Sequence, residues 1–288
     1  MTTAPEPSER DNDNDYLLGH TDTEKVRLIE QDRLFTRAMG GLLAEQTDIS
    51  HVRQVLDVAC GPGGWALELA ERYPHLQVVG IDIDAGMIEY ARAMAHVGRL
   101  GNVSFFVMDA TKPLDFPTAT FDLVNSRFMS GFMTANQWPL TLAEFLRVGR
   151  NGAIIRVTET EWSGTNSLGL EESQARANMA LHSIGRSFVP YGSMLGTTAR
   201  LGRLLRQTGC IDVQETAYAI DFSAGTPIQQ ALYQVAWVAH QHIQSFLVKI
   251  GFTTPEEADK LISQLQNEML ADEFFGLFHM LTTWGHKA

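Results

Sequence analysis

The chain has 288 residues, of which 44% are hydrophobic and 19% charged, a balance typical of a folded globular protein rather than extended disorder. Its 34 Asp and Glu residues outnumber 22 Lys and Arg residues, and the net charge of −12 disfavours binding to nucleic acid or anionic lipid. The two cysteines, Cys60 and Cys210, exclude a disulfide scaffold and a zinc finger. No apolar run is long enough to cross a bilayer and the N-terminus is polar, so we expect a cytoplasmic protein without a secretory signal.

Strands and helices alternate through the first half of the sequence. Apolar residues at helical spacing predict an amphipathic helix over 23–43. Short apolar runs then predict five strands, at 54–59, 76–83, 103–108, 121–125 and 153–158. Helical spacing between them predicts helices at 65–73, 85–97 and 138–149. This alternation predicts βαβ units and a largely parallel sheet.

The second half of the sequence is mostly helical. It predicts helices at 168–185 and 193–207, a strand at 211–222, a helical hairpin at 226–250 and 255–270, and a last strand at the sheet edge at 274–284. The predicted fold is α/β, a Rossmann-like seven-stranded mostly parallel sheet with flanking helices and a helical cap. We divide it into a disordered tail (1–15), an N-terminal helical lid (16–50), a cofactor-binding core (51–223), a cap insertion (224–271) and a final strand (272–288).

A glycine-rich turn follows the first predicted strand. In VLDVACGPGG, Gly61, Gly63 and Ala66 match the G-x-G-x-x-G/A pattern, and Asp82 lies where a ribose-binding acid belongs. Such a turn lets a ligand approach the backbone and the first amides of the next helix. Taken alone, the pattern fits a nicotinamide enzyme, and the alternative is a tight turn without a ligand.

Three further segments favour a different cofactor. Asp57 lies inside the first strand, Asp109 and Ala110 follow the third, and FDLVNSRF forms the fourth. With GIDIDAGMIEYAR around the second strand, these segments resemble the four motifs of the class I S-adenosylmethionine-dependent methyltransferases, in order and at similar spacing. The match departs from the family at Ala59, where a glycine is usual.

The resemblance implies S-adenosyl-L-methionine as cofactor and a role for each matching residue. The turn, with Gly61 and Gly63, would let the cofactor approach, and carbonyls near Ala59 and Asn125, with Asp57 behind them, would accept from its ammonium group. Asp82 would accept from both ribose hydroxyls, Ile83 and Met87 would contact the adenine face, and Asp109 and Ala110 would bind the adenine edge. In the lid, Tyr16 or Arg33 would hold the cofactor carboxylate, with a surface position for Arg33 as the alternative.

A protein base is needed only if the methyl acceptor arrives protonated. Glu159, Glu161 and Trp162 follow the fifth predicted strand, and this position near the ligand-binding edge of the sheet makes them candidates to act on the substrate. On a helical projection of the cap helix, His242 falls inside the apolar arc and His240 just past its edge, so His242, then His182, is the candidate catalytic base. The alternative is that both histidines are structural. No cluster has metal-ligand spacing, so we predict a metal-independent reaction.

These features predict a methyltransferase that acts on a small, largely apolar metabolite, with a hydroxyl oxygen as the methyl acceptor. The alternatives are a nicotinamide-dependent oxidoreductase, which lacks a recognisable hydride-transfer constellation here, and a non-methylating S-adenosylmethionine-binding protein on the same fold. The expected partner is a small-molecule substrate, with no nucleic acid and no membrane. The sequence leaves the oligomeric state open, as monomer or homodimer.

Overall fold

A computed structural model describes residues 22–192 and 194–288. The predicted tail and Tyr16 therefore lie outside the described residues. Within the described ranges, one mixed sheet contains eight strands in the order β3-β2-β1-β4-β5-β8-β6, and β7 pairs with β8. The strands are β1 Gln54–Val58, β2 Gln77–Asp82, β3 Val103–Val107, β4 Phe121–Arg127, β5 Gly149–Thr160, β6 Gly164–Thr165, β7 Cys210–Asp221 and β8 Gly276–Lys287.

The first five strands are parallel, as predicted. Their pairs are β1–β2, β2–β3, β1–β4 and β4–β5, whereas β8 is antiparallel to β5, β6 and β7. The helices are α1 Asp22–Ala38, α2 Gly64–Arg72, α3 Ala85–Val97, α4 Gln137–Val148, α5 Leu168–Ser183, α6 Thr198–Thr208, α7 Gln229–Lys249 and α8 Pro255–Met269. The Rossmann-like α/β fold with flanking helices is thus confirmed.

Helices cover both faces of the parallel part of the sheet, which explains its nearly continuous apolar strands. Alternate residues of a strand point to opposite faces. Accordingly, Val55 packs in one core with α2 and α3, while Leu56 and Val58 pack in another with α4 and α6. The carboxyl ends of these strands meet at one edge of the sheet, where open α/β sheets bind ligands.

Two expectations about the sheet are wrong. The sheet has eight strands rather than seven, because the two-residue β6, too short to leave a sequence pattern, pairs with β8. The final strand is not at the edge: β8 lies between β5 and β7, and its Thr282 and Thr283 are fully buried. An apolar pattern marks burial of a strand's faces, not its place in the sheet order.

The helix predicted over 193–207 begins later, at Thr198. The carboxylate of Glu161 accepts from the backbone amides of Leu195, Gly196 and Thr198, which holds the preceding residues in a loop. Gly196 has a φ of 74°, a left-handed conformation that no α-helix contains.

The helical hairpin α7–α8 lies between β7 and β8 in the chain and packs on α1 and α5. Phe35 of α1, Leu232 and Ala236 of α7, and Leu265 of α8 share one apolar core with Met280 of β8. Thr254 and Glu257 form a capping box at the start of α8, which fixes where the hairpin turns. We call α1, α5, α7 and α8 the cap helices; the domain boundaries given above stay a prediction.

Candidate cofactor and substrate site

A cavity opens at the carboxyl ends of β1 to β4 and is closed on one side by α1. Its wall includes eight of the residues predicted from sequence, namely Asp57, Ala59, Gly61, Asp82, Ile83, Met87, Asp109 and Ala110. The structure therefore brings together residues from the ends of three strands, β1, β2 and β3, that are as many as 53 positions apart, the interval from Asp57 to Ala110. We call this space the strand-end cavity.

The glycine turn and Asp82 form one hydrogen-bonded unit. Asp82 Oδ2 accepts from the Gly61 amide at 2.8 Å, and Oδ1 accepts from the Asp84 amide at 2.9 Å. Ala59 and Gly61 have φ values of 56° and 54°, so the turn requires left-handed backbone even where an alanine replaces glycine. Each Asp82 oxygen is thus held in place and can accept a further hydrogen bond from a ligand hydroxyl.

Gly63 is needed for packing rather than for the cavity wall. It has a φ of 83°, and a Cβ there would lie 2.9 Å from Ala91 and from the Phe105 ring. The absence of a side chain lets α2 approach α3 and β3 closely. The third glycine of the turn, Gly64, begins α2.

The space at the N-terminus of α2 is taken by a protein carboxylate. A Cβ on Gly64 would overlap Asp32 Oδ2, and Arg127, from the end of β4, makes an ion pair with the same carboxylate. Arg127 Nη1 also donates to Thr36 Oγ1 at 3.0 Å. In dinucleotide-binding folds a pyrophosphate sits at this helix end. Here a carboxylate occupies that position.

The strand-end cavity is strongly acidic. Among the described residues of its wall are five aspartates, Asp32, Asp57, Asp82, Asp84 and Asp109, against one basic side chain, Arg127. Cys60 also faces the cavity, and burial together with Asp57 and Asp82 raises the pKa of its thiol well above the ordinary value. The thiol therefore stays protonated and is a poor nucleophile.

Asp57 is supported by a buried chain of side chains. Asn125 Nδ2 donates to Asp57 Oδ1 at 2.7 Å, Arg156 Nη1 donates to Asn125 Oδ1 at 2.7 Å, and Arg156 Nε donates to Glu45 Oε1 at 2.6 Å. Burial raises the pKa of Asp57 to about 7, against the opposing effect of Arg127. Burial would also raise the pKa of Glu45, but Arg156 holds it below its ordinary value.

The far end of the cavity has an apolar surface and one aspartate, Asp109, whose carboxylate is held by hydrogen bonds. Ile83 is 49% exposed and Met87 is buried, so one apolar surface faces the space. Asp109 Oδ1 accepts from the Thr111 amide at 2.8 Å and from its hydroxyl at 2.7 Å. This bonding fixes the turn after β3 and presents the Ala110 backbone beside it.

Four predicted cofactor residues are not in the cavity wall. Tyr16 lies outside the described residues, and Gly63 packs between helices. Asn125 is fully buried behind Asp57. Arg33 is exposed and borders a separate cleft, so it has the surface position that was the alternative prediction. Among the described wall residues of the cavity, the basic side chain is Arg127.

The predicted histidines are not brought to the cavity. His242 Nδ1 lies 3.1 Å from Oε2 of the buried Glu24, and His182 is exposed with Nδ1 3.1 Å from the Ser187 carbonyl. The predicted orientations on α7 are wrong: His240 is the buried histidine, and His242 is partly exposed. Because α7 packs against α1, α5 and α8, it has no single buried face, and one apolar arc does not describe it.

Glu159, near the end of β5, and Glu161, just after it, both accept hydrogen bonds from backbone amides. Glu159 accepts from the amides of Met129 and Ser130, at 2.7 and 3.2 Å, and burial raises its pKa to about 7. Glu161 binds the loop before α6. Their position near the strand ends is as expected, but their oxygens are already occupied by amides.

Sequence analysis missed Asp32, Arg127, Phe128 and Phe132 of the cavity wall. Phe128 has a φ of 60°, and the Glu159 bonds just beyond it hold the chain in this turn. Two of these residues could have been found from the sequence, because Arg127 and Phe128 are the last two residues of the motif FDLVNSRF. Asp32 gave no signal, because it lies on a helix distant in sequence from every motif.

Residues 22–192 and 194–288 contain neither a candidate metal site nor a helix able to span a membrane. No group of three or more His, Cys, Asp or Glu side chains is arranged to hold a metal ion. No helix in these ranges is long and apolar enough to span a bilayer. Metal independence stays a prediction for an activity assay.

Comparison with known proteins identifies the segment that carries these residues. The profile of a methyltransferase domain matches residues 55–152. Residues 55–152 therefore form a methyltransferase domain, in agreement with the S-adenosylmethionine-dependent family that the motifs resemble. The matched segment runs from β1 into β5 and contains the glycine turn, Asp82 and Asp109.

Two curated relatives share this domain. A demethylmenaquinone methyltransferase of Deinococcus radiodurans is 41% identical over 96 residues, 33% of this chain and 38% of that protein. The aklanonic acid methyltransferase DauC of Streptomyces sp. strain C5 is 40% identical over 106 residues, 35% of this chain and 48% of that protein. The chain thus spans less than half the length of either relative.

The fold extends beyond the matched domain. A solved structure of phosphoethanolamine N-methyltransferase 2 from Haemonchus contortus, in complex with S-adenosyl-L-methionine, superposes with a TM-score of 0.59 at 18% identity. The superposition covers 99% of this chain and 62% of that one. At this identity the likeness supports the fold alone.

Proposed function

We propose that the chain transfers the methyl group of S-adenosyl-L-methionine to a small, largely apolar metabolite, at a hydroxyl oxygen. The observation that carries the proposal is the charge of the strand-end cavity, with five aspartates against Arg127 among its described wall residues. S-adenosyl-L-methionine bears a sulfonium and an ammonium, which this field attracts. A nicotinamide cofactor would bring a pyrophosphate to the helix end that Asp32 occupies.

The residues present suit each part of this cofactor. Asp82, held by two backbone amides, accepts from the ribose hydroxyls, and Ile83 and Met87 contact the adenine face. Asp109 and the Ala110 amide bind the adenine edge, and Asp57, oriented by Asn125, attracts the ammonium. Arg127 is the basic group of the wall that suits the cofactor carboxylate. The bound cofactor supplies an electrophilic methyl group.

Orientation is the main catalytic contribution that we assign to the protein. Phe128 and Phe132 line the cavity at the end of β4 and exclude water from the methyl group. Glu159 fixes the turn that carries them, and holding two reactants in line removes much of the entropic barrier. Because an acidic, phenol-like hydroxyl can lose its proton to water before it binds, this acceptor needs no histidine base.

The nature of the acceptor is supported by two observations. Besides the aspartates and the residues assigned to the adenine, the wall contains the apolar side chains of Leu28, Phe128 and Phe132. The names of the two relatives above give demethylmenaquinone and aklanonic acid as the molecules methylated.

Calorimetry tests the cofactor. We expect S-adenosyl-L-methionine and its demethylated product to bind, NADH and NADPH not to bind, and Asp82→Ala to weaken binding about ten- to a hundredfold through lost charge-assisted bonds. Asp259→Ala, the same substitution on the exposed side of α8, is the control and should leave binding unchanged. Tight binding of NADH would contradict the assignment in favour of an oxidoreductase.

Turnover with methyl-labelled cofactor separates a methyltransferase from a non-methylating binding protein on the same fold. Label should appear in an organic product and survive EDTA, which tests metal independence. His242→Gln tests the remaining base hypothesis: because His242 pairs with Glu24 outside the cavity wall, turnover should fall less than about fivefold. A fall of a hundredfold or more would restore His242 as the base, and His182→Gln is judged by the same criterion.

A further inference from the structure

Several buried polar atoms in the cap have no hydrogen-bond partner. Gln174 on α5 is fully buried, and both atoms of its amide are without a partner in the described part of the chain. The same is true of Gln244 Oε1 on α7 and of the indole nitrogen of Trp162, which follows β5. We call Trp162, Ser173, Gln174, His240 and Gln244 the cap polar cluster.

The cluster is connected across two helices. Ser173, the neighbour of Gln174 on α5, lies 2.8 Å from His240 Nδ1, and Gln244 Nε2 donates to the same hydroxyl at 2.9 Å. His240 and Gln244 are one turn apart on α7 and share a face. The Trp162 ring lies 6.1 Å from the His240 ring, so the segment after β5 closes the third side.

Leaving such atoms unpaired destabilises the folded protein, since water satisfies them in the unfolded chain. Leu170 and Ala177 on α5, and Ile243 and Leu247 on α7, are buried and apolar in the same helix interface. An apolar residue at position 174 would remove the cost. The unpaired donors and acceptors at one place in an otherwise apolar interface therefore point to a polar ligand.

The cluster carries no charge to balance an ion. Burial lowers the pKa of His240 to about 4, so its imidazole is neutral at physiological pH. Glu161, next to Trp162, already accepts from the loop before α6. A buried ion without a counter-charge is strongly disfavoured, whereas neutral hydroxyl and carbonyl groups match the unpaired amide and indole atoms.

The cluster and the strand-end cavity belong to neighbouring layers. Phe128 lines the cavity and also packs against the core that contains Tyr233 and Ala236 of α7. Trp162 comes just after the end of β5, and Phe128 comes just after the end of β4, the neighbouring strand. A ring that reaches from the cluster past Phe128 would arrive at the cavity proposed to hold the methyl donor.

We propose that the cap polar cluster binds a neutral ring bearing hydroxyl or carbonyl groups, the methyl acceptor of the proposed reaction. This inference rests on the proposed function and names the part of the protein that selects the substrate. Gln174 provides both a donor and an acceptor, and Gln244 and Trp162 add one acceptor and one donor. These are specificity-determining contacts, away from the atoms that react.

The test uses 1,8-dihydroxyanthraquinone as a neutral probe with two hydroxyls and two carbonyls. Binding should quench tryptophan fluorescence, since Trp162 belongs to the cluster, and Trp162→Phe should reduce the quenching. Gln174→Leu should weaken probe binding at least about tenfold, the effect of a lost hydrogen-bonding group, without lowering the melting temperature. Gln207→Leu, on the exposed face of α6, is the matched control and should bind the probe like the wild type.

The other outcomes would overturn the inference. Equal probe affinity in Gln174→Leu and the wild type would mean that the ligand binds elsewhere. If Gln174→Leu also had a lower melting temperature than the wild type, the amide would be satisfied by buried water in the wild-type protein. Competition by phosphoethanolamine that depends on Gln174 would contradict a neutral ligand. Wild-type protein that binds S-adenosyl-L-methionine but not the probe, at up to about 1 mM, would refute this inference alone. Failure to bind either molecule would refute the proposed function as well.

Discussion

Around the strand-end cavity, buried acids accept from backbone amides of nearby turns, whereas in the cap, buried amides and an indole face each other across helices. Asp82 binds the Gly61 and Asp84 amides, and Glu159 binds those of Met129 and Ser130. In the cap, Gln174 has no such partner among residues 22–192 and 194–288. The first arrangement is complete before a ligand arrives, so it fixes the geometry of the cofactor, and the second leaves bonds for a ligand to make.

Arg156 lies in the buried chain of side chains behind the strand-end cavity, and breaking its ion pair should have the largest effect. Arg156 and Glu45 are each 1% exposed, so Arg156→Met leaves a buried carboxylate and the Asn125 amide oxygen unpaired. We expect the free energy of unfolding to fall by about 3–5 kcal/mol, measured by urea denaturation.

The matched control for this variant is Arg72→Met. Arg72 pairs with Glu68 on the surface, where the two side chains are 53% and 39% exposed, so the change should cost under about 1 kcal/mol. If the two variants lose similar stability, the buried chain from Glu45 to Asp57 does not support the cavity.

The two regions also differ in how far the sequence predicts them. The cavity residues follow strands at regular intervals, so spacing alone places Asp57, Asp82 and Asp109 at one sheet edge. The cap polar cluster joins residues 67 and 71 positions apart, through helix packing that no local pattern encodes. For the same reason the helical projection misplaced His240 and His242. Arg127 was adjacent to a motif, but its partner Asp32 was not.

Glu161 should make the next largest contribution to the free energy of unfolding. Its substitution tests whether an acid near the cap has a structural role. Its carboxylate accepts from three amides and from the Thr198 hydroxyl. Glu161→Gln removes the charge and turns an NH2 group toward donors, which should cost about 2–3 kcal/mol of unfolding free energy. Proteolysis should also become faster at residues 194–197. Unchanged stability with lost turnover would instead assign Glu161 a catalytic role.

The pH dependence of stability should report Glu159. Burial raises its pKa from an ordinary 4.5 to about 7, so between these values the folded protein binds the proton more tightly than the unfolded chain. Stability should therefore fall as pH rises through this window and level off above it. Glu159→Gln should match the wild type near pH 5 and exceed it by about 2–3 kcal/mol near pH 8.

Urea midpoints at several pH values test this prediction. Asp57 has a pKa of about 7 from the same cause, so part of the fall should persist in Glu159→Gln. Parallel curves for the two proteins would mean that Glu159 is ionised throughout, held by the amides of Met129 and Ser130.

The smallest effect is expected at Ala59, where the chain departs from the family pattern. Its φ of 56° is left-handed, a conformation that costs an alanine about 1–2 kcal/mol relative to glycine. Ala59→Gly relieves this strain, but the more flexible unfolded chain and the lost methyl contact offset about 0.4–1 kcal/mol. We therefore expect stability to rise by about 0.5 kcal/mol, with cofactor affinity changed less than about threefold because the turn amides stay in place. Ala70→Gly, a buried position inside α2, should instead lose about 1 kcal/mol or more. If both variants lose stability alike, the turn carries no strain at Ala59, and its methyl group contributes by packing against the cavity wall.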